Sequence, residues 1–351
     1  MSIDRPHHRS GDAADLIPDA DPVPGASDAS AADAPAHDAS VHDTPPGPDA
    51  ERVWRPGRPV DLGATLGGMR RGSGDPTWRR LGDGFAKAWR TPAGDVTVRF
   101  ATRPADGEVV VSAWGPGAEW VCDRTPVILG ADDDVSGFVP RHDVVATLWR
   151  RHPGWRVPCT GLVMESLVPA VLEQLVTGTE AFGGYRYLVR RHGEAAPGPF
   201  GLVLAPTPRG WSRIPSWEWA KAGVDGSRAE TVLRAATRAG RLEESVTLGA
   251  VTARRRLQSI RGIGVWTASE VLHRALGDAD AVSFGDYHVA KNIGWALLGE
   301  QIDDHALAEL LEPYAGHRYR VQRLIELGGI HRPRRGPRMS VRTHTPSVVR
   351  R

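Results

Sequence analysis

At 351 residues, 40% of them hydrophobic, the chain is long enough for two domains and a sizeable core, and it has no run of about 18 apolar residues that would cross a membrane. Its formal charge of +2 conceals a split: residues 1–50 carry ten Asp and two Arg (2 − 10 = −8), so the rest holds +10, a balance that favours a polyanionic partner. Two cysteines, Cys122 and Cys159, are too few for a disulfide framework or a four-thiolate cluster, and the N-terminus lacks a charged-then-apolar signal pattern, so a soluble cytoplasmic protein without a membrane partner is expected.

Residues 1–50, mostly Ala, Asp, Pro, Ser, Gly and His, read as a disordered acidic tail. The histidines at 7, 8, 37 and 42 are irregularly spaced with no cysteine beside them, so they are not read as metal ligands. Over residues 51–139, alternating runs at 85–90, 95–102 and 108–112, separated by Gly, Asp and Pro turns, predict a small antiparallel sheet with one helix. From 140 to 330 a helical period takes over, predicting helices over 142–151, 164–177, 180–192, 216–222, 227–239, 248–260, 266–276, 287–298, 304–311 and 318–327. Residues 331–351 hold seven arginines and no acid, and read as a disordered basic tail: either a nonspecific electrostatic aid to binding nucleic acid or a solvated end with no role.

The most informative stretch is LQSIRGIGVWTA, residues 257–268. A first helix should end near Ile260, where Gly262 and Gly264 flank Ile263 in a spacing that permits positive φ and close backbone approach. Trp266, Thr267 and Ala268 then open a second helix, whose unpaired N–H groups can take a phosphate oxygen without lysine or arginine. On local grounds the same turn is also a plain cap between two packed helices. Eighteen residues beyond Ala268, the sequence VSFGDYHV sets Asp286 before a further helix, a good position for an N-cap.

Hairpin and aspartate together resemble the helix-hairpin-helix DNA glycosylase superfamily, most closely its 3-methyladenine DNA glycosylase II branch. The likeness runs over roughly residues 141–328, with a weaker continuation back to about 52. It implies a mostly α fold, a helix-hairpin-helix glycosylase body with a small N-terminal antiparallel β (α+β) domain. It makes Asp286 the catalytic carboxylate, which stabilises positive charge on the deoxyribose as the base departs and orients the attacking water. Trp266 stands where bifunctional relatives carry a lysine, and the chain's lysines are Lys87, Lys221 and Lys291, so no Schiff base and no lyase activity is expected. The Trp266 ring is assigned to the base pocket, facing a cationic flipped-out base, with core packing as the alternative.

The segment VLEQLVTG, residues 171–178, resembles the family stretch in which a residue after a glutamine wedges into the duplex. Gln174 is therefore assigned to the DNA interface and Leu175 to the wedge, although by periodicity Leu175 belongs with Leu172 and Val176 on an apolar helix face. The resemblance also places Gly262, Gly264 and Thr267 on the DNA backbone. It further places a structural sodium or potassium ion on the carbonyls of Gln258, Ile260 and Ile263, with no catalytic metal and no other cofactor. Among Arg318, Arg320 and Arg323, Arg318 is assigned to DNA, a solvated helix face being the default for such arginines. Two departures stand out: residues 318–328 lack a tryptophan that the branch offers, and Glu270 occupies a place where an aromatic residue lines its pocket.

The implied activity is that of a monomeric, monofunctional DNA glycosylase of base excision repair. It would hydrolyse the N-glycosidic bond of alkylated purines, of the 3-methyladenine and 7-methylguanine type, in double-stranded DNA and leave an abasic site. Two rivals remain open: a noncatalytic helix-hairpin-helix DNA-binding protein with a degenerate pocket, and a bifunctional glycosylase/lyase for oxidised bases, which borohydride would trap on DNA.

Overall fold

The computed structural model describes residues 47–333, so most of each expected tail lies outside the described residues. Strands β1 (Ala50–Trp54), β2 (Trp78–Leu81), β3 (Gly84–Thr91), β4 (Gly94–Arg103) and β5 (Glu108–Trp114) form one antiparallel sheet in the order β1-β5-β4-β3-β2. Gly94, at φ +126°, lets the chain reverse between β3 and β4. The resulting register sets Phe85 opposite Phe100 and Trp89 opposite Val96, cross-strand pairs that fill one face of the sheet.

Helices α1 (Leu62–Leu66) and α2 (Ala118–Ile128) cover that face, where Leu66, Val121 and Ile128 join Trp89, Phe100 and Val111 in one core. The opposite face carries the small side chains of Ala86 and Ala88 and receives Leu202 and Leu204. The three strands expected from alternation are present, each a little longer than expected. Two more were not legible: β1 buries fully only Ala50, and β2 has four residues, too few to show a period.

The helical part has two cores. Helix α3 (Asp143–Arg151) comes first in the chain but packs with the last helices. A first lobe then forms from α4 (Val163–Leu172), α5 (Gly178–His192), α6 (Pro208–Arg213), α7 (Ser216–Lys221), α8 (Gly226–Ala236), α9 (Ala239–Glu243), α10 (Ala250–Gln258) and α11 (Val265–Val271). Its core includes Leu167, Leu188, Trp219, Val232, Leu257 and Ala268. A second lobe unites α3 with α12 (Val289–Leu298), α13 (Asp304–Leu311) and α14 (Arg318–Leu327) around Leu148, Trp155, Ile293, Leu307 and Leu324. The chain therefore leaves the second lobe, builds the first and returns, and the segment 272–288 that follows α11 crosses between them.

Local chemistry fixes the ends. Thr177 and Glu180 form a reciprocal capping box on α5, and Asp225 and Asp303 cap α8 and α13. Helix α4 stops at Leu172, five residues before the expected end at 177, because the next residues turn to meet the hairpin. No helix among the described residues is long and apolar enough to cross a membrane.

Candidate active site between two helical lobes

Helix α10 ends in a tight turn, with the N–H of Ile260 donating to Leu257 and that of Ile263 to Ile260. Ile260 and Ile263 are buried in the first lobe, while Arg261, Gly262, Gly264 and Val265 are exposed, so the turn is anchored by its apolar residues and presents its backbone outward. Gly262 has φ +99°, and a Cβ there would collide with Oγ1 of Thr231 on α8, so two constraints demand glycine. The expectation of positive φ at both glycines holds only here. Gly264 is extended (φ −88°, ψ −171°) and is the N-cap of α11, with no side chain capping that end. Its N–H and those of the next three residues are the groups an α-helix leaves unpaired.

The chain past α4 is clamped to this turn. Gln174 Nε2 donates to the carbonyl of Gly262 (3.0 Å) and to Oγ1 of Thr267 (2.7 Å). Glu173 pairs with the buried Arg71 of the β domain (3.1 Å), and Thr177 is held by its capping box. Between these fixed points Leu175 adopts φ +56°, costly for a branched residue, and is 98% exposed. Periodicity would put it on an apolar helix face; the end of α4 at Leu172 puts it in water instead. The same bonds correct one assignment. Both N–H donors of the Gln174 amide are engaged by protein and none is free for a phosphate, while Thr267 is buried with its hydroxyl oxygen accepting from Gln174 and keeps only its own O–H to donate.

Asp286 lies in the crossing between the lobes. Oδ1 accepts the backbone N–H groups of His288 (2.7 Å) and Val289 (3.1 Å), where α12 begins, and Oδ2 accepts the indole N–H of Trp266 (3.2 Å). The helix starts at Val289 with His288 as its N-cap, two residues later than expected, so Asp286 is not the N-cap; it holds the N–H groups ahead of the helix and is a half-buried carboxylate with its orientation set from two lobes. Trp266 is likewise half-buried; its edge, rather than its face, meets the aspartate, which modifies the expected use of the ring.

The solved structures with which the chain aligns include DNA glycosylases. The 3-methyladenine DNA glycosylase of Archaeoglobus fulgidus superposes at a TM-score of 0.63 with 18% identity, covering 78% of this chain and 97% of that one. The 8-oxoguanine glycosylase/lyase of Clostridium acetobutylicum superposes at 0.61 in its apo form and 0.60 with double-stranded DNA containing cytosine opposite 8-oxoguanine. Both align at 12% identity over 81% of this chain, covering 98% and 96% of theirs. This is the helix-hairpin-helix glycosylase fold. No family model and no curated protein matches the sequence.

Within that glycosylase fold, Glu270 lies one turn beyond Trp266, buried at the base of α11. Ser283 donates to Oε1 (2.6 Å) and Arg274 donates to Oε2. Burial opposes its ionisation, but Arg274, His273 and the Ser283 hydroxyl outweigh it and hold the carboxyl down at about 2. His273 is pushed down to about 3, chiefly by burial, so its 3.9 Å approach to Glu270 is not an ion pair at neutral pH; the ring stacks on Tyr319 of α14 at 3.9 Å. Gln322 of α14 completes the group, accepting the N–H of Ser283 (3.0 Å). Sequence reasoning flagged Glu270 as a departure but gave no sign of these partners, which come from segments up to 52 positions away (322 − 270).

Arg318 is not a free DNA-facing arginine. Its Nε and Nη2 grip both oxygens of Asp280 (2.8 and 2.6 Å), which fastens α14 to the inter-lobe crossing. Arg320 is fully buried on Asp133, and Arg323 is held by Glu326 and the Ala64 carbonyl. The expected ion site has neutral backbone oxygens, and Ile260 O already accepts one N–H, leaving it one further lone pair. Among the described residues no group of three His, Cys, Asp or Glu side chains is placed to hold a metal.

Proposed function

We propose that the protein is a monofunctional DNA glycosylase that hydrolyses the N-glycosidic bond of alkylated purines in duplex DNA, acting as a cytoplasmic monomer and leaving an abasic site. The observation that carries this reading is the convergence of three features on one surface: the outward backbone of the 262–264 turn, the exposed Leu175 bound to that turn through Gln174, and the Asp286 carboxylate bonded to Trp266 two residues beyond the turn. The turn grips a phosphate through backbone N–H groups. Leu175 fills the space left by an extruded nucleotide, offsetting part of an unstacking cost of about a few kcal/mol. Asp286, orientated by three N–H donors, sits opposite the sugar and stabilises the cationic state that forms as the base departs.

Trp266 supplies no amine, so the bond is broken by water and no covalent enzyme–DNA adduct forms. Alkylated purines already carry positive charge and leave readily, which suits a site whose nearest buried acid, Glu270, is committed to Arg274 and Ser283. A sodium or potassium ion on the carbonyls of Gln258, Ile260 and Ile263 fits the neutral oxygen donors there and would stiffen the turn. The fold neighbours include a 3-methyladenine DNA glycosylase and an 8-oxoguanine glycosylase/lyase, and the chemistry at position 266 favours the first activity.

The test is incubation of the full chain with methylated duplex DNA, with released bases identified by mass spectrometry and borohydride added to a parallel sample. Free 3-methyladenine or 7-methylguanine without trapped protein is expected. Trapping would mark a lyase, and binding without release of any base would mark a noncatalytic DNA-binding protein.

A further inference from the structure

Where the β domain meets the first lobe, the protein encloses a cavity of about 320 Å³, at the lower end of the range for small-molecule sites. It lies at the N-terminal end of α4, a ten-residue helix about 15 Å long whose other end leads to Leu175. Neither the hairpin turn nor Asp286 lines it. Its walls are mostly apolar or aromatic, from Leu162, Met164, Val168, Tyr185, Pro206 and Trp211, with Arg90, Glu165 and Glu243 as its charged lining, and it reaches the surface beside the exposed Pro92.

Glu165 faces this space. Among the described residues it forms no salt bridge, although Lys87 and Arg90, with the backbone N–H of Arg90, lie close enough to favour its charge. The cations around it are held chiefly by other acids, although Nη2 of Arg90 makes no hydrogen bond among the described residues. Arg90 binds Asp95 (2.9 Å) and Glu194 (3.3 Å), Arg71 binds Glu173, Arg274 binds Glu270, and Lys87 Nζ donates to Thr77 (2.5 Å). The other acid on the wall, Glu243, is engaged: its two oxygens take the N–H groups of Val163 and Met164 at 2.8 Å each. Burial pushes the Glu165 carboxyl up and outweighs the pull of Lys87 and Arg90, so a charge on it is incompletely compensated. Aromatic faces attract a desolvated cation, and a thioether packs well on a ring edge.

We propose that this cavity binds a flat aromatic cation of one or two rings, its N–H donors on Glu165 and its ring between the apolar walls. Benzamidine and its neutral isostere benzamide are the probes, titrated calorimetrically into the full chain, into Glu165→Gln and into Ala205→Phe, which places a ring in the cavity and leaves the carboxylate. Saturable binding is expected, with benzamidine preferred about ten-fold or more over benzamide, equivalent to about 1.4 kcal/mol. Glu165→Gln should bring the two ligands to within about two-fold, and Ala205→Phe should weaken both. The wild-type preference is read without any variant, so misfolding of one leaves the proposal exposed. Absence of saturable binding up to about 10 mM, equal wild-type affinities, or a preference that survives in folded Glu165→Gln would each overturn it.

Discussion

Replacing Leu175 with glycine separates a wedge from a packing residue, because the two roles give opposite signs of stability change. A leucine in a core costs about 2–5 kcal/mol on truncation to alanine. Leu175 is 98% exposed at φ +56°, so its removal forfeits almost no packing and relieves about 1–2 kcal/mol of left-handed strain. The added freedom of a glycine in the unfolded chain takes back about 0.5–1 kcal/mol, leaving a change between about 0 and +1.5 kcal/mol in favour of the variant. On duplex DNA the same change removes an apolar side chain whose burial is worth about 1.5–3 kcal/mol, a loss of about 10- to 100-fold in base release. Urea denaturation reads the first quantity, and single-turnover release from methylated duplex and single-stranded DNA reads the second, with little loss expected on the single strand. Destabilisation by about 2 kcal/mol or more, or unchanged duplex activity, would refute the reasoning.

The two hairpin glycines should respond differently. Gly262→Ala places a Cβ against Thr231 at a positive φ and is expected to cost about 2 kcal/mol or more in urea, while Gly264→Ala, extended and facing open space, should stay within about 0.5 kcal/mol yet weaken DNA binding by fluorescence anisotropy. Trp266→Phe keeps a ring but removes the N–H donor to Asp286 and should slow base release by about ten-fold or more, with a stability loss in urea of no more than about 1.5–3 kcal/mol, the worth of a hydrogen bond to a charged group. His273, ordinarily titrating at 6.5, is held at about 3 in the folded protein. The unfolded chain therefore binds the extra proton, and the stability contribution is full above 6.5 and lost as pH falls toward 3. Between 6.5 and 5.5, a full unit above the ordinary Glu value of 4.5 at which Glu270 titrates in the unfolded chain, His273→Gln should flatten the fall in denaturation free energy by up to about 1.2 kcal/mol per pH unit.

Much of this was legible in the chain because the features are local. The hairpin turn, the position of Asp286 and most helices of both lobes follow from glycine spacing, capping residues and apolar periodicity within short windows; the short α6 and α9 were not expected. What escaped the sequence depends on long-range partners. Nothing near Arg318 signals that Asp280 will occupy it, and nothing near Thr267 signals that Gln174, 93 positions earlier, will bury its hydroxyl. Leu175 shows the limit of periodicity: its place in the pattern suits a helix face, but the clamps at Glu173, Gln174 and Thr177 end the helix first. The two-lobe arrangement, with α3 joining the last helices, likewise has no local signal.

The most direct measurement is the single-turnover rate of base release by Asp286→Asn on a duplex with one alkylated purine, at protein concentrations that saturate binding. Asparagine can still accept the N–H groups of His288 and Val289, so the start of α12 and the affinity for DNA should persist while the negative charge is lost. The rate should fall by about 100-fold or more with binding intact. A rate within about three-fold of wild type would contradict a role for this carboxylate at the sugar.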